Sequence, residues 1–191
     1  MLICCIGDSI TLGVGDSAGL GWPGRIGASF GSSAPTLTCY NLGVRADTLA
    51  LIHKRWRIET DARFKTDQTG LIFCFGTADV AQGVPRDQSI ENCRRILDEA
   101  QELAPTLLLT PPPVLNPDSD TLLGRLAEAF RAEAQQRGVP VLDLHTALAG
   151  SSTYKTALKR NDGVHPSASG YEELAGLLRD WSPMKTLLTS F

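Results

Sequence analysis

The sequence predicts an α/β fold: a three-layer α/β/α sandwich built on a five-stranded parallel sheet. Three observations lead there. Five short runs are apolar nearly throughout, as strands buried on both faces are. Longer stretches with helical spacing alternate with them, which implies crossover connections and parallel strands. Polar and glycine-bearing segments follow several of the runs and so collect at one edge of the sheet, where open α/β sheets bind ligands.

The runs are Leu2–Ile6, Leu37–Leu42, Leu71–Phe75, Thr106–Thr110 and Val139–Leu144, rich in Val, Ile, Leu, Cys and Phe. Helices are expected at Trp22–Phe30, at Ala46–Phe64 (Leu49, Ile52, His53, Trp56 and Ile58 at roughly helical spacing) and at Gln88–Leu103. In the last of these Ile90, Cys93, Ile96, Leu97 and Ala100 form one apolar stripe. Leu122–Arg137 carries Leu123, Leu126, Ala127 and Phe130 and stops at Gly138, a helix-ending residue. Ser167–Trp181 closes the series, with Pro166 or Ser167 at its start. Pro111–Asp120, with four prolines, reads as a loop leaving the fourth strand. Residues 149–162 read as irregular, with a short helix at Thr153–Lys159.

At 191 residues the chain suits one domain, 1–191, with one substantial core. Its net charge of -3 and scattered basic residues leave no electrostatic footprint for nucleic acid or an acidic membrane. The densest basic stretch, His53–Arg57, reads as the solvated face of a helix. No apolar run approaches the roughly 18 residues of a membrane span. Met1–Ile6 is too short for a signal-peptide core, and a cytoplasmic location is expected. Cys4, Cys5, Cys39 and Cys74 lie in strand-like runs and Cys93 in a helical one. No C-x-x-C spacing occurs, so neither a zinc site nor a redox pair is indicated; Asp143 and His145 are too few for a metal.

Acyl transfer by serine requires a nucleophile, a base and donors for the oxyanion, with a further group to orient the base. Ser9 follows the first strand in Gly7-Asp8-Ser9-Ile10-Thr11, where a tight turn presents its hydroxyl at the sheet edge. His165 is the candidate base, since histidine is the side chain suited to taking and returning a proton near neutral pH. Asp162, three residues earlier in a loop containing Gly163, can fold back onto that imidazole. Asp8 and Asp79 read as carboxylates that bond nearby backbone, and His53 and His145 as residues without a functional role.

Gly7-Asp8-Ser9-Ile10-Thr11, Asn41-Leu42-Gly43, Gly76-Thr77-Ala78-Asp79 and Asp162-Gly163-Val164-His165-Pro166-Ser167 together resemble the four blocks of the SGNH/GDSL hydrolases, in order and across nearly the whole chain. The resemblance implies a flavodoxin-like strand order, 2-1-3-4-5, and a serine esterase or acylhydrolase acting on an ester or thioester of a small or medium acyl group. It implies catalytic Ser9, Asp162 and His165, an oxyanion hole from the backbone N–H groups of Ser9 and Gly43, and no cofactor or metal. The expected partner is a small-molecule substrate, with no nucleic acid and no membrane span.

One position departs from the pattern. The third block of the family ends Asn-Asp, and its asparagine donates to the oxyanion; here that residue is Ala78, whose methyl cannot donate. Arg45, Asn41 or Thr77 could stand in. Ala78 also keeps open an SGNH-like protein that binds an acylated or carbohydrate ligand with little turnover. A flavin or nucleotide carrier is disfavoured, because the first loop lacks the phosphate-cradling glycine spacing. The Pro111–Asp120 loop and the segment after Gly13 are the expected pocket-shaping elements.

Overall fold

The computed structural model describes residues 1–30, 37–64 and 68–189. Five strands, β1 (Leu2–Gly7), β2 (Thr38–Gly43), β3 (Thr69–Cys74), β4 (Thr106–Leu109) and β5 (Val141–Leu142), form one parallel sheet in the order β2-β1-β3-β4-β5. The helices are α1 (Ser9–Leu12), α2 (Gly21–Phe30), α3 (Leu49–Arg63), α4 (Thr77–Ala81), α5 (Arg86–Leu103), α6 (Pro117–Gln136), α7 (Leu144–Ala149), α8 (Ser152–Lys159), α9 (Ala168–Asp180) and α10 (Ser182–Thr189). The expected fold class and strand order are both observed.

The two-residue period of a strand divides the core into two layers. Leu2, Cys4 and Ile6 of β1 and Leu71 and Phe73 of β3 face Trp56 of α3, Ile96 of α5 and Phe130 of α6. Ile3 and Cys5, with Ile72 and Cys74, face Trp22 of α2, Leu148 of α7, Tyr154 of α8, Leu174 of α9 and Leu187 of α10. Every strand residue of β1 is buried, which is why the run is apolar throughout rather than alternating. The five cysteines are free thiols. Among the described residues no helix is long and apolar enough to cross a membrane.

Several element boundaries differ from the sequence expectation, each for a local reason. The fifth strand is two residues long, because the Asp143 side chain accepts from Thr146 N–H at 3.1 Å and starts α7. The proline-rich loop ends at Asn116, whose side chain caps α6 through Ser119 N–H at 2.9 Å, so residues 117–120 are helical. Helix α3 begins at Leu49 rather than Ala46, since Ala46 lies at φ 64, outside the right-handed region. Helices α1, α4, α7 and α10 are too short or too weakly periodic to stand out in the sequence.

The His53–Arg57 stretch is not uniformly solvated. Lys54 and Arg57 are exposed, but Arg55 turns inward: its guanidinium donates to Asp47 Oδ2 at 2.6 Å, Leu42 O at 3.0 Å and Gly7 O at 3.0 Å. These carbonyls lie at the ends of β2 and β1, so an arginine read as surface charge joins the strand ends that carry the site. The same edge needs glycine at two places. A Cβ on Gly7 would lie 1.9 Å from Cys74 O, and one on Gly43 would lie 2.1 Å from Leu12 N. Both glycines let α1 sit directly against β2 and β3.

Candidate active site

Ser9 is the first residue of α1, directly past the end of β1. Asp8 caps this four-residue helix, its Oδ1 accepting from Ile10 N–H at 2.9 Å. That cap turns the chain sharply and leaves Ser9 at the helix N-terminus, 6% exposed. His165 comes from the loop between α8 and α9 and meets it: His165 Nε2 and Ser9 Oγ are 2.9 Å apart. Asp162 Oδ2 lies 2.7 Å from His165 Nδ1. The three side chains predicted from the sequence are therefore hydrogen-bonded in series.

The loop folds back because Asp162 bonds its own turn, accepting from Val164 N–H at 3.0 Å and His165 N–H at 2.8 Å. Gly163, at φ 83, supplies the left-handed step. Partial burial opposes ionisation of Asp162, but the bonds from the His165 backbone, the His165 ring and the Val164 backbone outweigh it and hold the carboxyl at about 2. An ionised carboxylate only accepts, so Nδ1 of His165 carries a proton and Nε2 of the neutral ring is free to accept from Ser9. Residues the sequence did not single out brace this loop. Asn161 donates to Gly15 O at 3.1 Å and to His165 O at 3.2 Å, and Leu115 N–H donates to Gly163 O at 2.8 Å.

A cavity of about 180 Å³ opens beside Ser9, lined by Ser9, Arg45, Ala46, Thr77, Ala78, Ala81, Gln82, Val164 and His165. Larger hollows of about 700 Å³, beside α10, and about 750 Å³, along α9, hold no paired nucleophile and base. Neither the Pro111–Asp120 loop nor the segment after Gly13 lines the catalytic cavity. The first acts through Leu115 on the catalytic loop. The second is pinned by Asp16, which is paired with the buried Arg25.

Gly43, expected in the oxyanion hole, does not line this cavity, and its N–H donates to Asn41 Oδ1 at 3.0 Å. Asn41 is equally committed: its Nδ2 donates to Leu12 O at 3.3 Å. The loop after β2 instead contributes Arg45 and Ala46 to the cavity. Ala46, at φ 64, is the one non-glycine residue with positive φ among the described residues, a conformation costing about 1–2 kcal/mol for alanine. Gln82 holds it there, its Nε2 donating to Ala46 O at 2.6 Å. Nothing in an alanine codon of the loop announces such a backbone, so sequence reasoning could not have found it.

Ala78 lines the cavity at the position where the third-block asparagine was expected. Asp8 and Asp79, both buried, act on distant backbone, not only on nearby backbone as expected. Asp8 Oδ2 also accepts from Thr77 N–H at 3.1 Å and Ala78 N–H at 3.3 Å, reaching across to the start of α4. Burial pushes its carboxyl up to about 6 against the pull of these bonds. Asp79 accepts from Leu49 N–H at 2.9 Å and Ser89 Oγ at 2.7 Å, capping α3 from another element. Burial also raises its carboxyl, against those bonds. His53 pairs with Glu99 at 2.8 Å and His145 with Asp120 at 3.2 Å, both away from the cavity. Among the described residues no group of three or more His, Cys, Asp or Glu is placed to hold a metal ion.

A family model described as the GDSL-like lipase/acylhydrolase family matches residues 5–173. The chain belongs to this family. It is thus an esterase or acylhydrolase of the GDSL type, a carboxylic-ester hydrolase, as the four sequence blocks implied. Solved structures of the same fold include a lipase/acylhydrolase from Enterococcus faecalis, 24% identical, with a TM-score of 0.82 over 97% of this chain and 95% of that one. A catalytic mutant of an acetylxylan esterase from Geobacillus stearothermophilus is 21% identical, with a TM-score of 0.80 over 93% and 92%. A member of the lipolytic G-D-S-L family from Veillonella parvula is 21% identical, with a TM-score of 0.78 over 95% and 98%. No curated protein sequence gives a significant match.

Proposed function

We propose that this GDSL-type hydrolase cleaves an ester or thioester of a short acyl group, with Ser9 as nucleophile, His165 as base and Asp162 as the group that orients it. The observation that carries the reading is His165, bonded at once to Ser9 Oγ at 2.9 Å and Asp162 Oδ2 at 2.7 Å. Ser9 Oγ attacks the carbonyl carbon while Nε2 takes its proton, and the imidazolium returns that proton to the departing alcohol or thiol. Water then repeats the sequence on the acyl-enzyme and regenerates Ser9.

The oxyanion donors in this reading are the backbone N–H groups of Ser9 and Ala46, the latter in place of Gly43. No bond from either N–H to another described residue is present, and both residues line the cavity. Ser9 N–H also sits at a helix N-terminus, which favours negative charge. The cavity supports a short chain. Its volume is about 180 Å³, small beside the hollows along α9 and α10. Ala46, Ala78 and Ala81 are among its lining residues, so acyl groups of about two to four carbons suit it better than medium chains.

The test is hydrolysis of p-nitrophenyl acetate, butyrate and octanoate, with a fluorophosphonate label located by mass spectrometry. Acetate and butyrate are expected to turn over faster than octanoate, and Ser9→Ala to abolish turnover and labelling. Labelling at Ser17, Ser151 or Ser167 would overturn the assignment. Ala78 favours a second reading, binding without turnover. Wild-type hydrolysis no faster than that of Ser9→Ala would decide for it.

A further inference from the structure

Thr77 is the first residue of α4, beside Ala78 in the wall of the catalytic cavity, and is 4% exposed. Its hydroxyl oxygen is buried and has no hydrogen-bond partner. Of the buried side-chain polar atoms left unpaired among the described residues, it alone belongs to a residue lining this cavity. The reason is positional. A threonine inside a helix can bond the carbonyl four residues back, but four residues before Thr77 stands Phe73, in β3 rather than in the helix, so that bond is not open to it. The Thr77 N–H is already given to Asp8. A buried hydroxyl without a partner is destabilising, and a catalytic role is one of the reasons such a group is kept.

The other candidates for the donor that Ala78 cannot supply fit less well. Asn41 has both ends of its amide engaged and lies outside the cavity. Arg45 lines the rim but is exposed, and its long side chain must lose rotamer freedom to reach inward. A threonine hydroxyl needs only a rotation about one bond between staggered wells.

We infer that Thr77 is a catalytic residue whose hydroxyl donates a hydrogen bond to the oxyanion formed when Ser9 attacks, replacing the side-chain donor absent at Ala78. No proton is transferred; the O–H remains on Thr77 and the bond lasts as long as the negative charge. The inference rests on Ser9 being the nucleophile. It gives the hole one mobile donor beside the two fixed backbone N–H groups.

The experiment uses the full chain and p-nitrophenyl acetate, with steady-state kinetics and urea unfolding of Thr77→Val, Thr77→Ser, Ala78→Asn and the double variant Thr77→Val/Ala78→Asn. Thr77→Val keeps the shape and removes the hydroxyl. Its kcat is expected to fall about 10- to 100-fold with KM little changed, because the lost bond exists only in the transition state. Its urea midpoint is expected to stay the same or rise, since an unpaired hydroxyl is removed. Thr77→Ser should keep most of the rate. Ala78→Asn should raise kcat more in the Thr77→Val background than in the wild type, because both side chains serve one oxygen. A Thr77→Val kcat within about twofold of wild type would overturn the inference. So would a loss that comes with a lowered midpoint and is not recovered by Ala78→Asn. Failure of the nucleophile reading would look different: Ser9→Ala would retain the hydrolysis.

Discussion

Asp8→Asn is expected to gain stability relative to the wild type as pH rises toward neutrality, and to be less active. Asp8 is fully buried, and its carboxyl is raised from the ordinary 3.8 to about 6, chiefly by desolvation and despite three backbone N–H donors. The folded protein therefore holds the proton more tightly than the unfolded chain. Between pH 4 and 6 the folded state keeps a proton that the unfolded state has released, so stability falls as pH rises through that window and stays low above it. At about 1.36 kcal/mol per pH unit the difference is about 3 kcal/mol. Asparagine is close in shape to the protonated carboxyl and does not titrate. The stability of the variant relative to the wild type should thus rise by about 3 kcal/mol between pH 4 and pH 7. Turnover should drop, because the amide cannot accept from Ile10, Thr77 and Ala78 together, and these bonds fix the Ser9 turn against α4. The assay is urea unfolding of both proteins at half-unit steps from pH 4 to 8, beside kcat at pH 8. A stability difference that does not change with pH, or that favours the wild type increasingly toward pH 7, would refute the reasoning.

Two other substitutions address the site directly. Asp162→Asn should lower kcat/KM by roughly 100- to 1000-fold, less than the 10⁴ or so typical of a buried triad aspartate. The reason is that its side chain is 54% exposed and water can share its role; a loss under about tenfold would mean that the imidazole is oriented without it. Because that carboxyl is held at about 2, it stays ionised above pH 4 and should add no inflection to the pH–rate profile between pH 4 and 9. Ala46→Gly should keep activity, as the N–H is retained, and raise stability by up to about 1 kcal/mol, the left-handed strain outweighing the added chain entropy. A destabilised glycine variant in thermal unfolding would show that Ala46 is not strained.

What was legible in the sequence was what depends on hydrophobic pattern or on neighbours in the chain. Strands β1, β3 and β4 are buried on two sides and therefore read as apolar runs, whereas the edge strand β2, expected to be buried likewise, leaves Thr38, Tyr40 and Asn41 exposed; Asp162 and His165 bond across three residues. What was not legible depends on contacts between distant segments. Arg55 looked like surface charge, because only the fold brings the carbonyls of Gly7 and Leu42 within its reach. Asp79 looked like a local turn residue, whereas the backbone it serves, Leu49, is 30 positions away. Gly43 was given the oxyanion role by the resemblance of Asn41-Leu42-Gly43 to the family's second block. The structure instead uses its lack of a side chain to pack against Leu12, and gives the cavity position to Ala46.

These long-range bonds form a closed circuit around the site. Arg55 of α3 holds the Gly7 carbonyl next to Asp8; Asp8 holds the start of α4; Asp79 of α4 holds the start of α3, which carries Arg55. Three strand ends, those of β1, β2 and β3, are fixed to one another by buried and partly buried charge-assisted bonds made by side chains that do not line the cavity. Such bonds are about twice as strong as neutral ones. A network of this kind holds backbone atoms in place whatever side chains project from them. That explains how the cavity can have alanine at both Ala46 and Ala78 and still hold Ser9 and His165 in register. The positioning is done by Asp8, Asp79 and Arg55, and the residues facing the substrate are left free to set its size.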